Sequence, residues 1–115
     1  MPILIMSAAD PDPCTEVDKG EVTDQPSLNE CAASQFEKVD EELNQLWKQL
    51  EKKYASNKTE WKSLVAAQRE WVRKKEKKCD KESGGMEGGQ AASMIYSGCS
   101  EEETKSRIKY LATKK

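Results

Sequence analysis

Ala66-Ala67-Gln68-Arg69-Glu70-Trp71-Val72-Arg73-Lys74-Lys75-Glu76-Lys77-Lys78-Cys79 is the stretch whose reading decides the fold. With the residues just before it, it carries a stripe of Trp61, Leu64, Val65, Gln68, Trp71, Val72, Lys75 and Cys79, at steps of three and four. Gln68 and Lys75 join that stripe through their apolar stems. The spacing places the whole set on one side of a 3.6-residue helix, and such a stripe has to be covered by a second helix.

The covering helix lies upstream. Ser27-Leu28-Asn29-Glu30 after Pro26 matches a capping box, with Ser27 as N-cap and Glu30 reaching back, so a helix is predicted from there to about Ala55. Its stripe is Leu28, Cys31, Ala32, Phe36, Val39, Leu43, Leu46, Trp47, Leu50 and Tyr54. At ~1.5 Å per residue it is roughly 40 Å long, and it needs a partner to be stable. Asn57-Lys58-Thr59-Glu60 gives a second capping box after a short connection, so the two helices form an antiparallel hairpin over residues 27–83. Asn57-Lys58-Thr59 is also a glycosylation sequon, but its capping role accounts for it. Trp47, Trp61 and Trp71 are expected to be largely buried core anchors.

Gly84-Gly85 ends the second helix and opens a Gly-rich loop that runs to Gln90. A helical turn is predicted from Ala91 to Ser97, a break at Gly98, and a final helix capped by Ser100-Glu101-Glu102-Glu103. Thr104, Ile108 and Leu111 of that helix rest on the hairpin. Residues 7–26 carry Pro11, Pro13, Gly20 and Pro26 without apolar period and read as an extended arm. The start, Pro2 to Met6 followed by Ser-Ala-Ala, is too short for a signal core, so residues 1–13 read as a signal remnant or a disordered arm. Residues 14–115 then make a single helical domain. The expected fold class is all-α: a long antiparallel helical hairpin with one or two short C-terminal helices packed on it, an extended N-terminal arm, and disulfide bonds.

Cys14, Cys31, Cys79 and Cys99 are an even set in a 115-residue chain without a C-x-x-C pair, which favours disulfides over zinc and places the chain in an oxidising compartment. Four free thiols in a cytosolic protein is the competing reading. Folding the hairpin about residue 57 gathers the cysteines at one pole. Several connectivities fit that geometry; the short-range pairs, Cys14 with Cys31 and Cys79 with Cys99, are favoured because each ties an irregular segment to a helix end.

With no histidine in the chain, a Ser-His-Asp or Cys-His relay and an imidazole base are excluded. The acidic residues scatter along polar helix faces or run together as Glu101-Glu102-Glu103, which is a solvated face rather than a catalytic pair. No catalytic residue, metal site or cofactor is predicted, and no segment is apolar enough to span a membrane. From Met1 to Cys31, seven acidic residues face Lys19 alone; from Lys58 to Glu82, nine bases face five acids. Glu76 and Asp80 interrupt the basic run and no aromatic platform accompanies it, so it reads as a solvated helix face and not as a nucleic-acid surface. The acidic arm is the stronger partner signal, since it would steer a cationic protein.

Leu28-Asn29-Glu30-Cys31-Ala32, Val39-Asp40-Glu41-Glu42-Leu43-Asn44, Ala67-Gln68-Arg69-Glu70-Trp71 with Cys79 beyond it, Met94-Ile95-Tyr96-Ser97-Gly98-Cys99, and Thr104 with Arg107 and Leu111 form an ordered set. That set resembles the LprI-like lysozyme-inhibitor family over about residues 14–112. The resemblance implies an all-helical, disulfide-bonded, exported bacterial domain, periplasmic or secreted, whose partner is lysozyme. An envelope adaptor that binds another exported protein is the alternative. Lysozyme-type enzymes cut glycans with two carboxylates, so an inhibitor must enter or cover their cleft. The candidate protrusion is the Gly-rich loop with Met86, Glu87 and Gln90. Asp10, Asp12, Asp18 and Asp24 are the candidate steering charges.

Overall fold

The computed structural model describes residues 12–20, 23–84 and 89–115. They form four helices and no strand: α1 (Thr15–Asp18), α2 (Gln25–Lys53), α3 (Lys58–Glu82) and α4 (Ala92–Ala112), the last entered through a 3-10 turn at Gly89–Ala91. Both predicted disulfides are present, Cys14–Cys31 and Cys79–Cys99.

Three boundaries differ from the sequence expectation. Helix α2 begins at Gln25, because Asp24 and not Ser27 is the cap: its carboxylate accepts from the Ser27 backbone N–H at 3.1 Å and from the Ser27 hydroxyl at 3.0 Å. A full negative charge suits a helix N-terminus, and Pro26 sits in the first turn, where its missing N–H costs nothing. Within the arm, Thr15–Asp18 winds one helical turn, which Gly20 ends at φ 75° by donating its N–H to the Val17 carbonyl at 3.0 Å. Helix α4 runs unbroken through Gly98, and Ser100 lies fully buried within it instead of capping it. A mid-helix glycine costs about 1 kcal/mol relative to alanine. The adjacent Cys79–Cys99 bond and the burial of Ser100, Thr104 and Leu111 offset that. The second cap is as expected, with Asn57 Oδ1 accepting from the Glu60 N–H at 3.2 Å.

Helices α2 and α3 are antiparallel. Trp47 meets Trp61 with ring centroids 4.9 Å apart, and Lys75 reaches over the Phe36 ring. Helix α4 runs beside α2 in the same direction: Gln90 and Met94 lie near Asn29 and Gln25, while the Lys114 carbonyl accepts from Lys53 Nζ at 2.7 Å and Tyr54 Oη at 3.0 Å. The closest backbone packing joins α2 to α4, and α2 and α3 stand further apart. Small buried residues at Ser100 and Thr104 leave the α4 backbone room to approach its neighbour. The space between α2 and α3 is spanned by large side chains, so Trp47, Trp61 and Trp71 are only partly buried, less than the periodicity predicts.

The apolar core sits towards the hairpin turn. Leu43, Leu46, Leu50, Leu64 and Leu111 form it, flanked by Trp47, Tyr54, Trp61, Trp71 and Ile108. Among the described residues that cluster does not extend to the opposite pole, where the two disulfides join α1 to α2 and α3 to α4.

Candidate functional site

The residues expected to meet a partner fall into separate places. Asp12 is exposed, accepts from the Cys14 N–H at 2.8 Å and pairs with Lys38 at 2.7 Å. The Lys38 hydrogen bond, with that backbone bond second, holds its pKa below the ordinary carboxylate value. Asp18 is exposed on α1. Asp24 is the α2 cap, and its pKa is lowered by the Ser27 backbone and side-chain hydrogen bonds. Gln90 is exposed in the 3-10 turn, where its carbonyl accepts from Asn29 Nδ2 at 3.1 Å. Asp10, Met86 and Glu87 lie outside the described residues. The Cys79–Cys99 bond ties the last turn of α3 to α4.

A second constellation is built by the long helices. Between α2 and α3 lies a groove of about 320 Å³. Its α2 wall carries Asp40, Leu43, Asn44 and Trp47; its α3 wall carries Gln68, Trp71, Val72 and Lys75. These residues are three and four apart on each helix, which puts them on facing sides. The wide α2 to α3 spacing keeps the groove open.

Arg107 of α4 braces this groove from beside α3. Its Nε donates to Gln68 Oε1 at 2.8 Å, and its guanidinium lies 5.6 Å from the Trp71 ring centroid and 4.8 Å from that of Tyr110. Burial pushes the Arg107 pKa down, opposed by the nearby Tyr110. Its Nη2 is buried without a hydrogen-bond partner among the described residues, as are Ser100 Oγ and Thr104 Oγ1. Lys75 Nζ stands 5.1 Å from the Phe36 ring centroid and 5.7 Å from that of Trp71. Trp71 thus holds two cations by cation–π contact.

Sequence reasoning placed Gln68 and Trp71 on the helix stripe and Asp40 and Asn44 in a motif, but it did not bring the four together. The usable signal was the position of Asp40 and Asn44 beside the α2 stripe and of Lys75 within the α3 stripe, polar residues where the hairpin has to close.

The family described as Lysozyme inhibitor LprI matches residues 14–111. The chain belongs to the LprI family. That match spans α1 to the end of the α4 core, including both disulfides and every residue of the groove. No curated protein and no solved structure matches this LprI-family chain. No helix among the described residues is long and apolar enough to cross a membrane, and no group of histidine, cysteine or carboxylate ligands there could hold a metal ion.

Proposed function

We propose that this chain is an exported bacterial protein, periplasmic or secreted, that binds lysozyme by protein–protein contact and blocks its access to substrate. The observation that carries the reading is membership of the lysozyme-inhibitor family over residues 14–111. The two disulfides support an oxidising compartment. In this reading the chain does no chemistry. It covers or enters a cleft whose two carboxylates must reach the glycan. The segment with Met86, Glu87 and Gln90 is the protrusion, and it joins two helices that the Cys79–Cys99 bond ties together; such a tie lowers the ordering cost of binding. Asp10, Asp12 and Asp18, with Asp24, supply the negative field that draws a basic enzyme towards it.

The test is cell-wall lysis by lysozymes of several types, each titrated with the oxidised protein, alongside surface plasmon resonance against the same enzymes. Saturable inhibition at one-to-one stoichiometry is the expected result. Absence of binding at low salt to every type would defeat the reading and leave an envelope adaptor for another exported protein. Pull-down from envelope extract then identifies the partner.

A further inference from the structure

The groove between α2 and α3 carries groups of opposite charge. On the α2 side, the Asp40 carboxylate has no ion-pair or hydrogen-bond partner among the described residues. On the α3 side, Lys75 Nζ likewise has no carboxylate partner there and rests only over the Phe36 and Trp71 rings. Gln68 adds to that polarity. Its Oε1 is committed to Arg107 Nε, which leaves its amide nitrogen as a donor, with no partner among the described residues. Behind it stands the Arg107 guanidinium, whose Nη2 has no hydrogen-bond partner among the described residues. The groove therefore offers an acceptor and negative charge from α2 residues, and donors and positive charge from α3 residues, with the Lys75 ammonium reaching across to the Phe36 ring of α2. Leu43, Trp47 and Val72 supply apolar surface between them.

We propose that this groove binds a free α-amino acid with an apolar side chain. The ligand ammonium meets Asp40 and the Asn44 carbonyl oxygen, its carboxylate meets Lys75 and the Gln68 amide nitrogen, and its side chain lies against Leu43 and the indoles. A singly charged ligand would satisfy one of these charges and leave the other unpaired, and a neutral one would satisfy neither. The 320 Å³ volume sits at the small end of the ~300–1,000 Å³ range of small-ligand sites, which suits a molecule of this size. This site is separate from the segment proposed to meet lysozyme, and it stands or falls independently of that reading.

Trp47 and Trp71 line the groove, so tryptophan fluorescence of the full, oxidised chain reports on occupancy. The probes are L-leucine, N-acetyl-L-leucine, which lacks the ammonium, and L-leucine amide, which lacks the carboxylate. Leucine is expected to give a saturable change, with each blocked form at least about tenfold weaker, the loss of one charge-assisted contact. Asp40→Asn should weaken leucine about as much while leaving N-acetyl-leucine unchanged; Lys75→Gln should do so while leaving leucine amide unchanged. Far-UV circular dichroism of both variants checks that the helices persist. No saturable change with leucine overturns the proposal. So does equal binding of leucine and either blocked form, which would make the groove a site for a single charge or for apolar groups alone.

Discussion

Arg107 on α4 and Gln68 on α3 form a cross-helix hydrogen bond of 2.8 Å that fixes which end of the Gln68 amide faces the groove. Replacing Gln68 by Leu leaves a half-buried guanidinium with one more unpaired N–H, at a cost of about 1–3 kcal/mol. Replacing both residues, as in Gln68→Leu with Arg107→Met, should cost less than the sum of the two single changes. Urea denaturation of the four proteins in a double-mutant cycle measures that coupling.

The disulfides close segments of 17 and 20 residues, and each is expected to contribute about 3 kcal/mol by restricting the unfolded chain. The oxidised protein should offer no alkylatable thiol, and it should offer four after reduction and unfolding. Intact mass with and without reductant reads this directly. Cys14→Ala with Cys31→Ala, and Cys79→Ala with Cys99→Ala, should each lower the denaturation midpoint.

Gly98 lies inside α4 with ordinary helical backbone, and a methyl group added there would meet no atom within 4 Å. Gly98→Ala should therefore stabilise the protein by about 0.5–1 kcal/mol, because alanine loses less backbone entropy in a helix. Thermal unfolding should show a higher midpoint. A lower one would mean that the glycine has a packing role not visible in its surroundings.

Asp24 caps α2 as a carboxylate whose pKa is held below its ordinary value of 3.8 by hydrogen bonds from Ser27. A lowered folded-state pKa adds stability above the unfolded value, and that contribution disappears as pH falls through the folded value. Acidification from pH about 4 downward should thus weaken the start of α2. Asp24→Asn keeps a capping oxygen while removing this part of the acid dependence; Asp24→Ala removes both. Circular dichroism across pH 2 to 6 on the order of single pH units separates the three proteins.

If the acidic arm steers lysozyme, neutralising Asp12 and Asp18 together should lower the association rate with little change in dissociation. Asp24 is left in place because its loss would also disturb the helix that it caps. Raising salt from 0.1 M to 1 M shortens the Debye length from ~10 Å to ~3 Å and should slow association of the unaltered protein in the same way. Shortening the segment from Gly84 to Gly89 should instead speed dissociation. Surface plasmon resonance against a basic lysozyme distinguishes the two effects.

The helices and both disulfides were legible because their causes are local. Apolar steps of three and four, two N-terminal caps and an even cysteine count all lie within short windows. The α2 boundary was misplaced because two capping signals overlap, and the charged Asp24 outcompetes the neutral Ser27. The unbroken α4 was missed because Gly98 is a weak breaker on local grounds and only the tertiary setting decides it. The groove was legible only as polar residues, Asp40, Asn44 and Lys75, placed where the hairpin has to close. Its openness depends on how far α2 and α3 stand apart, and that distance is set by the packing of α2 on α4 and by the size of the indoles, not by the period of either stripe.

The leucine cluster and the disulfides occupy opposite ends of the hairpin, so the two ends answer to different insults. Reductant acts on the pole where α1, the start of α2 and the start of α4 converge, and it leaves the leucines packed. Heat acts first on packing and meets a chain whose far end is still tied. Under reduction this domain should fray from one end while the other holds, in the manner of a zip opened from its slider.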